Sequence, residues 1–174
     1  MTLEVLRFIE NAVLAALLIT VMYTDWRFLR IPNALTYPAM AVGVVLGALE
    51  GVPGALFTHG LVDHVAALFL AFAISYPFYA AGGLKAGDAK LLMAIGALRG
   101  INFLFLAAVC GALIGGVLAV GFIVSRRLAR PAAGAAPNTL SAILKTSIPY
   151  GVALGLGGLL ALALEAAGYM QVNV

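Results

Sequence analysis

Charged side chains are scarce in this sequence: they make up 10% of its 174 residues, while hydrophobic residues make up 64%. An ordinary soluble domain carries about 25% charged residues. A soluble fold of this size cannot bury so large an apolar fraction, because a small domain leaves much of its chain exposed to water. The composition therefore excludes a water-soluble globule and indicates a protein that resides in a lipid bilayer.

Cysteine and histidine are also rare. The chain has one cysteine, Cys110, and two histidines, His59 and His64. A single cysteine excludes a disulfide framework and a four-cysteine zinc site. We expect both histidines to be polar residues at the outer interface, and we expect neither a bound metal nor a cofactor. The net charge of +3 is too small and too scattered to indicate a nucleic-acid partner.

Long uncharged windows occupy most of the chain, and a spanning helix needs about 20 mostly apolar residues. Five windows lack Lys, Arg, Asp and Glu, and they cover residues 11–24, 31–49, 65–84, 100–125 and 146–164. A sixth apolar segment runs from Asp88 to Arg99 and ends at the turn residues Gly100 and Asn102. It rises only about 18 Å at 1.5 Å per residue. We therefore predict an all-α integral membrane protein with six transmembrane helices, the one from about Asp88 being short.

Basic residues fall mainly on one side of this predicted bundle, since six spans place the connections alternately on two sides. Most Lys and Arg residues share one side, namely Arg27, Arg30, Lys85, Lys90, Arg126, Arg127, Arg130 and Lys145. Only Arg7 and Arg99 fall on the other side. The positive-inside rule therefore predicts that the first side is cytoplasmic and that both termini lie outside. The basic loop over residues 126–145 is expected to contact anionic lipid.

The acidic residues show the opposite distribution to the basic ones. Five of them lie on the outer side, namely Glu4, Glu10, Glu50, Asp63 and Glu165. The remaining two, Asp25 and Asp88, each lie where an apolar helix meets a cytoplasmic connection. Asp88 could be a simple helix N-cap, and Asp25 could pair with Arg27 or Arg30. Two ionisable groups on one side of a small membrane bundle nevertheless indicate a shared role, because each is costly to bury near lipid.

A pair of close carboxyl groups does not readily ionise twice, so it retains one proton near neutral pH. An aspartic protease needs this state. The ionised carboxylate takes a proton from water as the water attacks a peptide carbonyl, and the protonated partner donates to the carbonyl oxygen. Asp25 and Asp88 are therefore candidate catalytic residues for peptide hydrolysis.

Three segments of the chain resemble the signature regions of the type IV prepilin peptidases, which are aspartyl proteases of the GxGD class. They are Asp25 to Thr36 (DWRFLRIPNALT), Gly82 to Gly100 (GGLKAGDAKLLMAIGALRG) and Ile148 to Gly151 (IPYG). The resemblance implies that Asp25 and Asp88 are catalytic. It further implies an enzyme of the inner membrane that removes the short basic leader of a prepilin at the cytoplasmic face. The implied partners are a prepilin-like substrate, the bilayer, and pilus-assembly or secretion machinery.

The chain departs from the family pattern in two respects. Lys85-Ala86-Gly87-Asp88 retains only the second glycine of GxGD. Lys85 either acts on Asp88 through its charge, contacts substrate, or extends toward the interface. The sequence also lacks the CxxC pairs of the larger members that methylate the new pilin N-terminus. We therefore expect one membrane-embedded peptidase domain over residues 1–174, without a methyltransferase or zinc-binding portion. A stand-alone peptidase of this kind resembles the tight-adherence (Flp) pilus branch, with the archaeal preflagellin peptidases as a close alternative.

Several other residues are expected to support the aspartates. Pro32 stiffens the start of an apolar helix, and Asn33 is predicted to be its N-cap. Lys90 is interpreted as a lipid-headgroup contact. Pro149-Tyr150-Gly151 is predicted to break the start of the last helix near the cytoplasmic face, with Tyr150 either contacting substrate or anchoring at the interface.

Two other function classes fit the composition. A small proton-coupled transporter or channel would use the intramembrane carboxylates as a relay. It is disfavoured because both aspartates lie on one side and the outer half of the bundle is expected to hold few polar groups. A structural scaffold of a secretion complex would use the aspartates only as helix caps.

Overall fold

The computed structural model describes residues 2–51, 60–128 and 150–169, and all regular structure within these ranges is helical. Five helices follow in chain order. They are α1 (Leu3–Phe28), α2 (Asn33–Glu50), α3 (Leu61–Ala80), α4 (Ala86–Leu128) and α5 (Tyr150–Ala166). The prediction of an all-α protein is therefore confirmed.

Most of these helices are apolar enough for a membrane. Within the described ranges, α1, α2, α3 and α4 have the length and hydropathy of membrane spans, while α5 is apolar but has 17 residues. Large apolar side chains such as Phe8, Phe69 and Val117 point outward and are exposed. A surface of this kind requires lipid around it. The protein is a multi-pass membrane protein.

The described part contains five helices where six spans are predicted, because residues 86–128 form one element that is interrupted at Gly100. Gly100 has φ 73° and ψ −175°, which is not helical. In a straight helix Leu92 and Ala112 would lie about 30 Å apart. Both nevertheless line one cavity of about 250 Å³, so the chain folds back at Gly100. We name the two halves α4a (residues 86–99) and α4b (residues 101–128).

Polar contacts hold this reversal in place. The guanidinium of Arg99 is 3% exposed, and it donates to Asn11 of α1 and to both carboxylate oxygens of Glu165 at 2.6 and 2.7 Å. The carboxylate of Asp63 accepts the backbone N–H of Ile101 at 3.3 Å. The turn is thus joined to α1, α3 and α5.

The first half of α4 lies in the centre of the molecule. Its buried side chains Leu91, Ile95 and Leu98 have no exposed surface and pack with residues of α1, α2 and α5 in the main core. Gly43 of α2 lies directly against the backbone of Ala97. Small residues of this kind let helix backbones approach closely in lipid, where packing provides much of the association energy. The central position of α4a fixes Asp88, at its start, relative to α1 and α2.

Candidate active site

Asp25 lies in the last turn of α1 and is only 2% exposed. The helix ends shortly after it, because Leu29 adopts a left-handed conformation (φ 51°, ψ 33°) and its N–H donates to the Asp25 carbonyl oxygen at 2.9 Å. The carboxylate oxygen Oδ2 is buried and has no hydrogen-bond partner among the described residues. Neither Arg27 nor Arg30 forms an ion pair with Asp25 within those residues. The carboxyl group is therefore buried, and none of the described basic residues forms an ion pair with it.

Asp88 lies in the first turn of α4 and is also 2% exposed. The interpretation of Asp88 as the N-cap is wrong, because α4 begins at Ala86 and the carbonyl of Lys85 accepts the N–H groups of Asp88 and Ala89. The Asp88 side chain instead reaches back, and its Oδ2 accepts the Lys85 N–H at 3.2 Å. This is the acidic half of a capping box, which anchors the carboxylate at the helix start.

Both carboxyl groups face one cavity of about 370 Å³. Its walls come from the end of α1, the connection to α2 and the start of α4. The lining residues are Asp25, Leu29, Arg30, Ile31, Asn33, Lys85, Ala86, Gly87, Asp88 and Lys90. The structure thus brings Lys85, Gly87, Asn33 and Lys90 to the same cavity as the two aspartates.

Two glycines make room for this arrangement. A Cβ atom on Gly87 would lie 3.0 Å from Cβ of Ile31, and a Cβ atom on Gly151 would lie 2.8 Å from Oδ2 of Asp25. Both distances are shorter than van der Waals contact allows. The start of α4 and the start of α5 can approach the α1–α2 connection only because these positions lack side chains.

Lys90 and Asn33 join α4 to α2 at the edge of the cavity. The ammonium of Lys90 donates to Oδ1 of Asn33 at 2.9 Å and lies 5.0 Å from the ring centre of Tyr37. The prediction of Asn33 as N-cap is wrong, since the helix already includes Asn33, Pro32 precedes it at φ −67°, and the Asn33 oxygen is taken by Lys90. The interpretation of Lys90 as a lipid-headgroup contact stays a prediction, since the ammonium makes these protein contacts at an exposed position.

The third signature segment is brought only partly to the aspartates. Gly151 packs against Asp25, whereas Tyr150 lines a separate apolar cavity with Ser75 and Leu154 and lies against α4b at Gly115. Helix α5 begins at Tyr150. Pro149 lies outside the described residues, as does the basic loop beyond residue 128.

An aromatic cavity adjoins the aspartate cavity on the side of α3. It measures about 380 Å³ and shares Ala86 and Lys90 with the first. Its remaining walls are Tyr37, Phe72, Ser75, Tyr76, Tyr79, Ala89 and Met93. An apolar chamber thus lies directly beside a chamber with two buried carboxyl groups.

The opposite end of the bundle contains a second polar cluster that sequence reasoning missed. Glu10, Glu50 and His64 come from three helices. One carboxylate oxygen from each glutamate and one imidazole nitrogen of His64 lie within 4.8 Å of one another. The expectation that the outer half holds few polar groups is wrong, since Asp63 and Arg99 are buried there as well. The placement of most acidic residues on the predicted outer side indicates that polar groups are present there. That Glu10 and Glu50 meet His64 depends on helix packing, which the sequence pattern does not give.

A comparison with protein-family models finds one for the type IV leader peptidase family, which matches residues 12–120. The matched stretch contains Asp25, Asp88 and every residue that lines the aspartate cavity. Neither the curated proteins nor the solved structures include a significant match to the chain.

Proposed function

The chain belongs to the type IV leader peptidase family, whose model covers more than half of its 174 residues, and we propose that Asp25 and Asp88 are its catalytic pair. Membership makes the protein a peptidase of prepilin-type substrates. The observation that supports the pair is the burial of both carboxyl groups against one cavity. We further propose that the enzyme removes the short basic leader at the cytoplasmic membrane face.

The proposed reaction needs only one proton between the two carboxyl groups. The ionised carboxylate accepts a proton from a water molecule while the water oxygen bonds to the scissile carbonyl carbon. The protonated carboxyl donates to the carbonyl oxygen, which gives a tetrahedral diol. As the diol collapses, one of its hydroxyl groups returns a proton to the carboxylate that had donated one, and the C–N bond breaks. The leaving amine takes the proton that came from water, from the other carboxyl group. The pair is then restored with its single proton.

The substrate is proposed to bind across the two adjoining cavities. A leader peptidase must accommodate a basic segment on one side of the scissile bond and an apolar, membrane-embedded segment on the other. The aspartate cavity lies at the ends of helices, next to the polar connections, whereas the cavity lined by Phe72, Tyr76 and Tyr79 is apolar. The apolar segment therefore lies on α3 in this proposal, and the peptide bond next to it reaches Asp25 and Asp88.

The proposed topology has six spans, with α4a and α4b each crossing the membrane. The reversal at Gly100 supports it, because Arg99 then lies with Glu165 and Asn11 at the end opposite Asp88. Both aspartates would face the cytoplasm, and both termini would lie outside. The excess of basic residues on the aspartate side agrees with this orientation.

A proton-coupled transporter receives less support. Its relay would have to link the aspartate cavity to the polar cluster at Glu10, and about 22 Å of α1 separates Glu10 from Asp25. The buried side chains of α1 between them are Leu14, Leu17, Leu18 and Val21, which cannot carry protons. The apolar core thus favours two separate polar sites over one continuous path.

The proposal is tested by co-expression with candidate prepilins, with leader removal scored by gel shift. Asp25→Asn and Asp88→Asn should each reduce cleavage at least 1,000-fold while the protein remains in the membrane, and the double variant should be no worse than either single one. Asp63→Asn is the matched control, because Asp63 is the remaining aspartate and is buried at the other end. Appreciable cleavage by either single variant would remove that aspartate from the mechanism.

A further inference from the structure

The polar cluster of Glu10, Glu50 and His64 lies among the ends of three different helices. Glu10 belongs to α1, Glu50 ends α2, and His64 lies in the first turns of α3. The side chains of Glu50 and His64 are 1% and 3% exposed, and Glu10 is 2% exposed. Buried carboxylates are costly unless a cation or a set of donors compensates them.

The imidazole of His64 has a defined orientation and tautomer. Its Nδ1 lies 2.8 Å from the carbonyl oxygen of Ala97 and 3.2 Å from that of Gly43. Carbonyl oxygens only accept, so Nδ1 carries a hydrogen and donates it. The other nitrogen, Nε2, faces Oε2 of Glu50 at 3.3 Å. A histidine whose one ring nitrogen donates to a backbone carbonyl presents the other nitrogen as a metal ligand typically does.

The carboxyl group of Glu10 is compensated only in part, by a side-chain hydrogen bond with Glu50. Its Oε1 is buried and has no hydrogen-bond partner among the described residues. The guanidinium of Arg99 is directed to Asn11 and to Glu165. Glu50 has an additional hydrogen-bond donor, because its Oε2 also accepts the N–H of Gly60 at 3.2 Å.

A proton and a metal ion would satisfy this cluster differently. A proton on Nε2 pairs His64 with Glu50, and a proton shared between Glu10 and Glu50 pairs these two carboxyl groups. Oε1 of Glu10 has no hydrogen-bond partner among the described residues in either case. A metal ion can be bonded by all three groups at once. Ligand atoms around tetrahedral zinc lie about 3.3 Å apart, so atoms within 4.8 Å need to close by only about an ångström or two.

We propose that Glu10, Glu50 and His64 bind one divalent transition-metal ion of the zinc class at the end of the bundle opposite the aspartates. Two carboxylates and one imidazole form a mixed oxygen and nitrogen set that suits zinc and its neighbours better than calcium or copper(I). The ion ties α1, α2 and α3 together beside the reversal at Gly100. Because it lies about 22 Å from Asp25 along α1, it stabilises the fold and takes no part in peptide hydrolysis.

The test uses the full chain, purified in detergent, treated with chelator, dialysed and titrated with Zn²⁺ or Co²⁺. A His59→Gln background leaves His64 as the sole histidine. We expect one Zn²⁺ per chain by elemental analysis, a melting temperature several degrees higher, and the strong visible absorption of four-coordinate Co²⁺. Glu10→Gln and Glu50→Gln should each weaken binding at least tenfold. Glu165→Gln, a carboxylate at the same end that bonds Arg99, should bind as the background does.

Substoichiometric Zn²⁺ in the background protein would overturn the proposal in favour of a proton-sharing cluster, and so would undiminished binding by Glu10→Gln. If both glutamine variants fail to fold, X-ray absorption of the zinc-loaded background protein decides the question. An imidazole nitrogen in the first coordination shell supports the site, and its absence overturns it. None of these measurements depends on peptidase activity.

Discussion

The position of the Asp25 carboxyl group depends on what its neighbours lack. Gly151 presents only hydrogen toward Oδ2, and any side chain there would also meet Cδ1 of Ile31 at 2.9 Å. Within the part of the chain that the structure describes, no hydrogen-bond donor fixes Oδ2 of Asp25. Its orientation is therefore set by packing, and packing can be altered by a single methyl group.

Gly151→Ala should lower kcat for leader cleavage at least tenfold while the level of folded protein changes little. The added Cβ would lie 2.8 Å from Oδ2 of Asp25, so the carboxylate must turn away from the cavity. Displacements of this size at a reacting group commonly cost about 100-fold in rate. Gly116→Ala is the matched control, because a Cβ at that helical position meets nothing within 4 Å. Equal activity of the two variants would contradict this account.

The rate of leader cleavage should be little changed by chelators and by thiol-directed reagents. Two carboxyl groups supply both proton transfers of the proposed reaction, and Cys110 is buried in α4b away from the aspartate cavity. A chelator should lower the melting temperature through the proposed outer metal site, yet leave the initial rate within about twofold of the untreated enzyme well below that temperature. Cys110→Ala should cleave normally. Rapid loss of activity in a chelator at low temperature would place a metal in the reaction.

Single functional residues can be predicted from the sequence where the local pattern is informative. Asp25 and Asp88 stand out because each is an acid between an apolar helix and a basic connection. The bond between Lys90 and Asn33 joins residues 57 apart, and no local pattern predicts it. The same holds for the convergence of Glu10, Glu50 and His64, because it depends on how α1, α2 and α3 pack.

The reversal at Gly100 is the main finding at the scale of single elements. The sequence pattern placed a boundary there, from the glycine and from Asn102, and the structure shows a non-helical residue at that point within α4. The pattern did not reveal what holds the turn, because Asp63 lies 38 residues away and accepts the Ile101 N–H. That contact satisfies one of the free N–H groups at the start of α4b.

Gly100→Ala should destabilise the protein and lower its melting temperature in detergent by several degrees. The left-handed φ of 73° costs a residue with a Cβ atom about 1–2 kcal/mol, and the new atom would also collide with Oδ2 of Asp63. Gly121→Ala is the control in the second half of the same element, where a Cβ meets nothing within 4 Å and the change should stabilise the helix by up to about 1 kcal/mol. An unchanged melting temperature for Gly100→Ala would mean that this turn is not formed.

The whole molecule has two polar ends separated by an apolar core. One end holds Asp25 and Asp88 with the basic connections, and the other holds Glu10, Asp63 and His64. Between them the buried residues of α1 and α4a are apolar. The fold class and the aspartate end follow from composition and charge placement, whereas the buried polar residues at the other end were not expected from the sequence. The number of crossings depends on the route of α4, which has to be measured directly.

Cysteine labelling can settle this orientation in a Cys110→Ala background. Single cysteines at Phe28, Gly83 and Gly134 should react with an impermeant thiol reagent only from the cytoplasmic side, while cysteines at Val52 and Asn173 should react from outside. The physical reason is the distribution of Lys and Arg, since most of these residues lie in the connections on the predicted cytoplasmic side. The proposed reaction requires the same orientation, since a basic leader retained in the cytoplasm must reach Asp25 and Asp88 while the following apolar segment is still in the bilayer.

Labelling of Gly134→Cys from outside together with Phe28→Cys from inside would show that α4a and α4b do not both cross. The aspartate pair would survive that result, whereas the six-span topology would not.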